Sequence, residues 1–535
     1  MPPAKPRLAI IGGGSAGWMA AAFLARMLPE ELRSDVDITL VEASDIPTVG
    51  VGEATTPSLR TTLAAIGADE FDFMRRCDAT FKHGIRFVQW NRPPGDDPGE
   101  FYFHPFQAPL RVGAGHVARH WQDLPAGERG TFAQTVGTQA EAALRHLAPK
   151  HQAHGSFEGP LSYAYHLDAG KLAVYLKSIA MAHGVRHHIG KIMQVHRNDA
   201  DSITSISLED GEELEADFYV DCTGFGARLI NAGGDNAFID KSDILFCDKA
   251  LAARVPLPNG YEDIRPYTTS TAQDAGWIWD ITLHQRRGTG YVYSSRHTPD
   301  ETAAKTLAAY LGTTPDALDM RGFDMRVGYQ QQQWRGNCAA IGLSAGFIEP
   351  LESTGIYLVE MALWLLTQSM VRYFGGVDVQ SQFNFLMGRH FENIIDFVKA
   401  HYCLSGRSDT PFWRDNRDPQ SIPQSLAKRL DLWRQDVPND YDFDSHILCF
   451  NSDNYQYILY GMAGAPRASA SAKSREVMTR LATKRAAQFE RLARSLKPNA
   501  QVIRAIAQSA QNGKPHTPRP PMIGNIPMRS NYRLV

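Results

Sequence analysis

Cysteine is scarce in this chain, and the few cysteines lie far apart. The 535 residues include six of them, and the closest pair, Cys222 and Cys247, is 25 residues apart. The spacing therefore offers neither a CxxC pair nor a clustered set of zinc ligands, and we predict no metal site. Cysteines dispersed through a long chain are typical of reduced, packed thiols in a reducing compartment.

Excess charge and long apolar runs are missing as well. Lys and Arg number 55 against 58 Asp and Glu, a formal net charge of −3, which gives no long-range attraction for nucleic acid or an anionic membrane. The most apolar stretch, residues 356–371, contains Glu360 and is shorter than the roughly 20 residues that span a bilayer. Residues 1–7 lack the apolar stretch of a signal peptide. We expect a cytoplasmic protein without nucleic-acid or membrane partners.

The order of strands, turns and helices predicts an α/β protein of more than one part. Strand and helix patterns alternate in the first half, a β-rich stretch follows, and helical patterns dominate the last third. We predict that residues 1–375 form a nucleotide-binding module that carries an inserted antiparallel sheet at about 246–330. Residues 376–535 are predicted to form a mainly helical domain with a proline-rich tail.

A glycine motif near the N-terminus carries the first chemical signal. Residues 8–11 form an apolar run, Gly12-x-Gly14-x-x-Gly17 follows, and an apolar helical pattern begins directly after it. The glycines suit a tight turn, a close approach to pyrophosphate and a tight helix-on-strand contact. Glu42, at the end of the next strand, is placed to accept hydrogen bonds from a ribose. Dinucleotide binding is the favoured interpretation, and a purely structural turn is the alternative.

Two further strand-to-glycine turns bear on the choice of dinucleotide. One is Asp221-Cys222-Thr223-Gly224, and the other closes the apolar stretch at 337–342. Three such turns, spread over some 340 residues, fit a cofactor held by a discontinuous domain. This arrangement favours a flavin, whose ring system must be reached by a substrate domain, over a nicotinamide.

Four other segments stand out by their composition. Residues 50–57 form a glycine-flanked turn that includes Glu53 and Ala54, and residues 81–85 place Lys82 in an apolar strand. Trp277 and Trp279 share one face of a strand because side chains alternate. Residues 347–356 place acids and small polar residues before an apolar helix. Alone, these features also suit a lysine with a solvent-exposed head group, two core tryptophans and an ordinary helix cap.

In combination, these segments resemble the flavin-dependent tryptophan halogenase family over residues 7 to about 460. The resemblance rests on the glycine motif, the 50–57 turn, Phe81-Lys82-x-Gly84-Ile85, Trp277-x-Trp279-x-Ile281 and the Glu349-Pro350-Leu351-Glu352-Ser353-Thr354-Gly355 segment. The family's tryptophan signature usually ends in proline, where this chain has Thr282. A flavin-dependent aromatic monooxygenase (hydroxylase) is the alternative enzyme, since it shares the glycine motif but is not expected to carry the lysine and tryptophan motifs.

The resemblance implies a fold, a reaction and a set of roles. The implied fold is a FAD-binding Rossmann-like (GR2-type) α/β core with an inserted antiparallel sheet and a helical C-terminal domain. FAD, delivered as FADH2 by a separate flavin reductase, would act with O2 to oxidise chloride or bromide to hypohalous acid, which halogenates a small aromatic substrate. Lys82 and Glu352 are then the catalytic pair. Thr354 and Gly355 bind the halide, and Trp277 and Trp279 form a tunnel wall. The expected cofactor-binding residues are Gly12, Gly14, Ala16, Gly17, Glu42, Glu53, Ala54, Leu343 and Ile356.

The substrate is expected to be an electron-rich indole. By resemblance, His104 and Phe106 pack on the indole ring, and Phe450 takes the place of a stacking tryptophan. Ser445 stands where a glutamate would pair with the amino group of free tryptophan. Losing that carboxylate removes the contact that favours the zwitterion, so we expect indole itself, a substituted indole or a larger molecule bearing one.

Overall fold

The computed structural model describes residues 5–45, 52–462 and 471–509, except positions 96, 98, 114, 152, 235 and 446. Residues 50 and 51 of the predicted glycine-flanked turn and the predicted proline-rich tail lie outside the described residues. Within these ranges the protein is α/β, built around two large sheets.

The first sheet has six strands, and five of them run parallel. Its central strand, Arg7–Ile11, is buried except at Arg7 because helices cover the sheet. The apolar runs at 8–11, 37–41 and 218–220 therefore form the predicted Rossmann-like core. In sheet order, the strands are Arg186–Ile189, Asp37–Glu42, Arg7–Ile11, Phe218–Asp221, Cys338–Ala340 and Trp334–Arg335.

The second sheet has seven strands and contains the predicted antiparallel insertion. It is wider than the predicted 246–330 span because the hairpin strands Gly84–Val88 and Phe101–Pro105 join its edge. Only one neighbouring pair is parallel, where Thr268–Gln273 meets Gly84–Val88. In sheet order, the strands are Met320–Asp324, Lys249–Pro256, Arg286–Tyr293, Gly276–Thr282, Thr268–Gln273, Gly84–Val88 and Phe101–Pro105.

Four smaller sheets accompany the two large ones in the described part of the chain. The three-stranded sheet of Gly52–Ala54, Ala164–Asp168 and Thr80–Lys82 brings the turn around Glu53 beside the strand that carries Lys82. The other small sheets are Ile192–Arg197 with Ile203–Leu208 and Glu213–Leu214, Phe238–Asp240 with Gly328–Gln330 and Gly346–Phe347, and Arg111–Val112 with Gly115–His116.

Helices cover both sheets and dominate the chain after residue 376. Thr354–Phe374 includes the apolar stretch 356–371 and is long and apolar enough to cross a membrane, but 67% of its most apolar window is buried in the fold, as in a core helix. The other α-helices are Ser15–Met27, Glu30–Arg33, Ser58–Ala65, Glu70–Arg76, Ala118–Gln122, Phe132–Val136, Gln139–Leu144, Ala169–Ala182, Asp300–Tyr310, Gln380–Cys403, Pro411–Asp415, Gln424–Trp433, Ser452–Gly461, Ala472–Ser495 and Asn499–Gln508.

Candidate active site

A cleft of about 520 Å³ runs from the first glycine turn to the start of the helix Thr354–Phe374. Its walls are mainly apolar with a few convergent polar groups, as is usual for cofactor sites. Among the residues predicted to bind a cofactor, Gly17 alone does not line it. The predicted residues in its wall are Gly12, Gly14, Ala16, Glu42, Glu53, Ala54, Leu343, Ile356, Gly355, Trp277 and Trp279.

The three glycines of the first turn differ in what surrounds them. Gly12 has φ +119°, and a Cβ there would collide with the carbonyl oxygen of Cys222. A Cβ on Gly17 would collide with the carbonyl oxygen of Gly12, so this glycine lets the helix pack on the turn. A Cβ on Gly14 would meet no atom within 4 Å, so that position faces open space. This cradle fits the pyrophosphate of a dinucleotide, which needs close backbone approach.

Glu42 lies at the end of its strand, directly beside the glycine turn. Its carboxylate accepts a 3.2 Å hydrogen bond from Lys177 Nζ and a 3.4 Å bond from the Trp18 indole N–H. A Cβ on Gly13 would collide with this carboxylate. The acid therefore stands where a ribose next to the pyrophosphate would pass.

Lys82 is fully buried on the strand Thr80–Lys82. Its ammonium donates to the carbonyl oxygen of Thr55 at 3.1 Å and to Ser353 Oγ at 2.8 Å, and it lies 5.3 Å from the centre of the Phe106 ring. Burial lowers the pKa of Lys82 to about 7, against a smaller opposing effect of Glu352. The amine can therefore gain or lose a proton near neutral pH.

Ser353 connects Lys82 with the cleft. It accepts the hydrogen bond from Lys82 and also lines the cleft wall. Its backbone is left-handed, with φ +63° and ψ +36°, a conformation that costs a non-glycine residue free energy and is found at functional turns. Ser353 lies inside the 349–355 segment, directly before the helix Thr354–Phe374.

Glu352 is buried between two histidines. His104 Nδ1 lies 2.9 Å from Glu352 Oε1, and His401 Nε2 lies 3.0 Å from the same oxygen. Burial raises the pKa of Glu352, but the close contacts from the two histidines outweigh it and lower the pKa to about 2. Glu352 is therefore a carboxylate throughout the neutral range.

Of the residues predicted to hold substrate, His104 contacts this carboxylate directly. His104 is turned toward Glu352, and its ring centre is 6.5 Å from that of Phe450. Phe450 stacks on Phe397 at 3.9 Å, so one face of its ring is already covered. Ser445 Oγ accepts the backbone N–H of Ile447 at 3.2 Å.

The two tryptophans of the signature both line the cleft, on the strand Gly276–Thr282. The Trp277 indole N–H donates to Glu349 at 2.8 Å, which fixes the ring in place. Burial raises the pKa of Glu349 to about 7.

The Trp279 ring crosses the neighbouring strand at Gly290, where a Cβ would collide with it. Thr282 ends the strand, and its hydroxyl accepts the backbone N–H of Arg265 at 2.9 Å.

The N-terminus of the helix Thr354–Phe374 points to the cleft. Gly355 lines the cleft, and Thr354 Oγ1 is buried without a hydrogen-bond partner among the described residues. Helix N-termini carry unpaired N–H groups and partial positive charge, which suits an anion. The unpartnered hydroxyl of Thr354 beside them is free to donate a hydrogen bond to the same anion.

The described part of the chain contains one cluster with metal-ligand geometry, outside the cleft. Ligand atoms of His188, Asp210 and Glu212 lie within 4.8 Å of one another, and both acids are exposed. Exposed acidic groups of this kind are common without a metal. The six cysteines form no disulfide bond.

Sequence and structure comparisons agree on one family. The tryptophan halogenase family model matches residues 7–476. The chain belongs to this family. It is 33% identical to tryptophan 6-halogenase SttH of Streptomyces toxytricini over 85% of this chain and 89% of the relative. It is also 33% identical to tryptophan 7-halogenase RebH of Lentzea aerocolonigenes over 86% of this chain and 90% of the relative.

Solved structures of halogenases share the fold. The crystal structure of a tryptophan halogenase from Shewanella frigidimarina superimposes with a TM-score of 0.87 and 35% identity, covering 95% of this chain and 98% of that one. The predicted Rossmann-like fold and family membership are thereby confirmed. The protein is a flavin-dependent halogenase and an oxidoreductase, and the hydroxylase alternative is not favoured.

Three residues of this halogenase's site were not among the site residues predicted from the sequence. Ser353, His401 and Asn454 contact Lys82, Glu352 and His104 respectively, yet each of the three belongs to a segment whose pattern suits a cap or a helix. The capping position of Ser353 could have been noticed. The positions of His401 and Asn454 depend on how the C-terminal helices pack.

Proposed function

We propose that this halogenase uses FADH2 from a separate flavin reductase, O2, and chloride or bromide to halogenate an indole-type ring in the cytoplasm. The observation that carries the proposal is the fully buried Lys82, joined to the cofactor cleft through Ser353. A lysine in this position is shielded from solvent and separated from the cleft by one side chain. It can receive a small oxidant made in the cleft.

The cleft residues suit the flavin and the halide. Gly12, Gly14, Ala16 and Gly17 would hold the pyrophosphate, with Glu42 on the ribose; Glu53, Ala54, Leu343 and Ile356 would surround the rest of the cofactor. Thr354 and Gly355 would bind the halide at the helix N-terminus. The reduced flavin, when bound, supplies with O2 the oxidation that converts the halide to hypohalous acid.

Lys82 and Glu352 have different roles in the transfer of the halogen to the ring. Lys82 presents the oxidised halogen to the aromatic ring, away from bulk water. Glu352 stabilises the positive charge that develops on the ring and takes the departing proton. Trp277 and Trp279 stand as a wall of the cleft, so that the ring is reached by the small oxidant and not by the flavin itself.

The substrate proposed for this chain is an indole that need not be free tryptophan. The relatives SttH and RebH are named for tryptophan. In this chain Ser445 is engaged in a local turn with Ile447 and offers no carboxylate to an amino group. His104, Phe106 and Phe450 supply aromatic surface for an indole ring near Glu352.

Product analysis tests the proposal. The enzyme is incubated with indole, a flavin reductase, NADH, FAD and bromide, and the product is examined by mass spectrometry. The proposal predicts replacement of a ring hydrogen by bromine, and better turnover of indole than of free tryptophan. A product that gains oxygen whatever the halide would contradict it.

A further inference from the structure

Five side chains form one line of close polar contacts through the buried carboxylate. In order along it they are Asn454, His104, Glu352, His401 and Tyr102. Three of the four links are hydrogen bonds, and in the fourth His401 Nε2 lies 3.0 Å from Glu352 Oε1 without hydrogen-bond geometry. The outer contacts are Asn454 Nδ2 to His104 Nε2 at 3.0 Å and the Tyr102 hydroxyl to His401 Nδ1 at 2.6 Å. The four members other than Asn454 are each at most 4% exposed, so water does not compete for these contacts.

The orientation of Asn454 fixes the proton of His104. Asn454 Oδ1 accepts the backbone N–H of Asn451 at 3.0 Å, as part of the cap of the helix Ser452–Gly461. Its NH2 group must therefore face His104, and an amide NH2 can only donate. His104 Nε2 accepts that hydrogen bond, so the ring proton lies on Nδ1 and is donated to Glu352.

His401 is arranged in the same way on the other side of Glu352. Burial raises the pKa of Tyr102 well above its usual value, so its phenol stays protonated and can donate. His401 Nε2 faces the Glu352 carboxylate at 3.0 Å, and a carboxylate can only accept, so we infer that the ring proton lies on Nε2 and that Nδ1 accepts from the Tyr102 hydroxyl at 2.6 Å. Burial also lowers the pKa of His401, which favours the neutral ring.

We propose that Asn454 and Tyr102 are positioning residues that keep His104 and His401 neutral, each with its proton on the nitrogen facing Glu352. This rests on the proposed function, in which Glu352 serves the reacting ring. Two neutral N–H donors keep the carboxylate ionised without adding positive charge beside a ring that becomes cationic. Because both facing nitrogens already carry protons, neither can take a further proton from Glu352.

Glu100, directly before the strand Phe101–Pro105, acts on Tyr102, and three further titratable groups lie near the line. Lys82 acts on Glu352 from the strand Thr80–Lys82, and Cys449 acts on it from the segment before the helix Ser452–Gly461. Tyr457, on that helix, has its ring centre 5.9 Å from that of His104. Lys82 titrates in the wild-type enzyme too, so the test must compare variants.

The test exchanges an amide for a carboxylate at two nearby positions. Asn454→Asp keeps the acceptor for Asn451 N–H but turns the donor facing His104 into an acceptor, which stabilises the imidazolium. Asn451→Asp adds the same charge to the same helix cap and keeps its acceptor for Asp453 N–H. We expect Asn454→Asp to brominate indole at least tenfold more slowly than Asn451→Asp at pH 6.5, and to recover toward the control at pH 9.

Equal pH–rate profiles for the two variants would overturn the inference. Neutron diffraction from the unaltered enzyme in D2O at pH 6.5 is a second test that does not depend on the variants folding. It should show deuterium on His104 Nδ1 and none on Nε2; deuterium on Nε2 would overturn the inference. Absence of bromination by the unaltered enzyme would contradict the proposed function instead, and the deuterium positions would still decide the tautomer.

Discussion

At the scale of single residues, Lys82 matters both for the proposed chemistry and for the stability of the fold. A fully buried amine with only two uncharged hydrogen-bond partners is costly to protonate. Its pKa of about 7, against an ordinary value of 10.5, expresses that cost. The unfolded chain therefore binds a proton between pH 7 and 10.5 that the folded chain does not, so the free energy of unfolding rises with pH in this window.

Replacing Lys82 by methionine should stabilise the protein in a pH-dependent way. The difference in free energy of unfolding between Lys82→Met and wild type should be largest below pH 7 and decline at roughly 1.4 kcal/mol per pH unit as pH rises toward 10.5. Denaturant unfolding at pH 6.5, 8 and 9 measures it. A difference that does not change with pH would contradict this, because it would show that the pKa of Lys82 is the same in the folded and the unfolded chain.

At the scale of elements, the start of the helix Thr354–Phe374 is the most specialised part of the fold. The left-handed Ser353 turns the chain so that the helix begins at Thr354 beside the cleft. The cap thereby places the partner of Lys82 and the proposed halide site in consecutive residues.

Removing the Thr354 hydroxyl should weaken halide binding selectively. Hydrogen bonds to charged groups are worth about 1.5–3 kcal/mol, so Thr354→Val should raise the KM for bromide by about tenfold or more. Thr367→Val is the matched control, since Thr367 is buried in the same helix and donates to its backbone at Leu363. Steady-state kinetics with varied bromide decide the matter; an equal KM for both variants would count against the proposed halide site.

Alanine substitutions in the glycine turn should affect folding at one position and cofactor binding at another. Gly14→Ala places a methyl group into open space of the cleft, so it should lower FAD affinity by about tenfold or more while leaving the Tm of the cofactor-free protein within about 2 °C. Gly12→Ala, at φ +119° and against Cys222, should lower that Tm markedly. Fluorescence titration with FAD and thermal unfolding test both. Unaltered FAD binding by Gly14→Ala would mean that the pyrophosphate lies elsewhere.

At the scale of the whole molecule, sequence patterns located one half of the site better than the other. The glycine turn and the apolar strands are local features, so the Rossmann-like core could be predicted from their order. The joining of the hairpin strands Gly84–Val88 and Phe101–Pro105 to a sheet made largely from residues after 246 could not, because strand pairing over that separation leaves no local pattern.

The surroundings of Glu352 could not be predicted from local sequence patterns either. The segment that contains it was recognisable, but its two histidine partners come from residues 104 and 401. His401 follows a helical pattern in which a buried histidine resembles any core residue. Its role becomes visible only when the helix Gln380–Cys403 packs against the hairpin strand that carries His104.

The most direct measurement of the whole account compares brominated indole formed with reduced flavin consumed, for wild type, Lys82→Gln, Glu352→Gln and Lys399→Gln. Lys399 is a second buried lysine, bonded to Asn416, and controls for loss of a buried amine as such. We predict that wild type and Lys399→Gln yield bromoindole, whereas Lys82→Gln and Glu352→Gln lose it by at least 100-fold while still binding FAD and consuming reduced flavin. Bromoindole formation by Lys82→Gln at the wild-type rate would contradict the account.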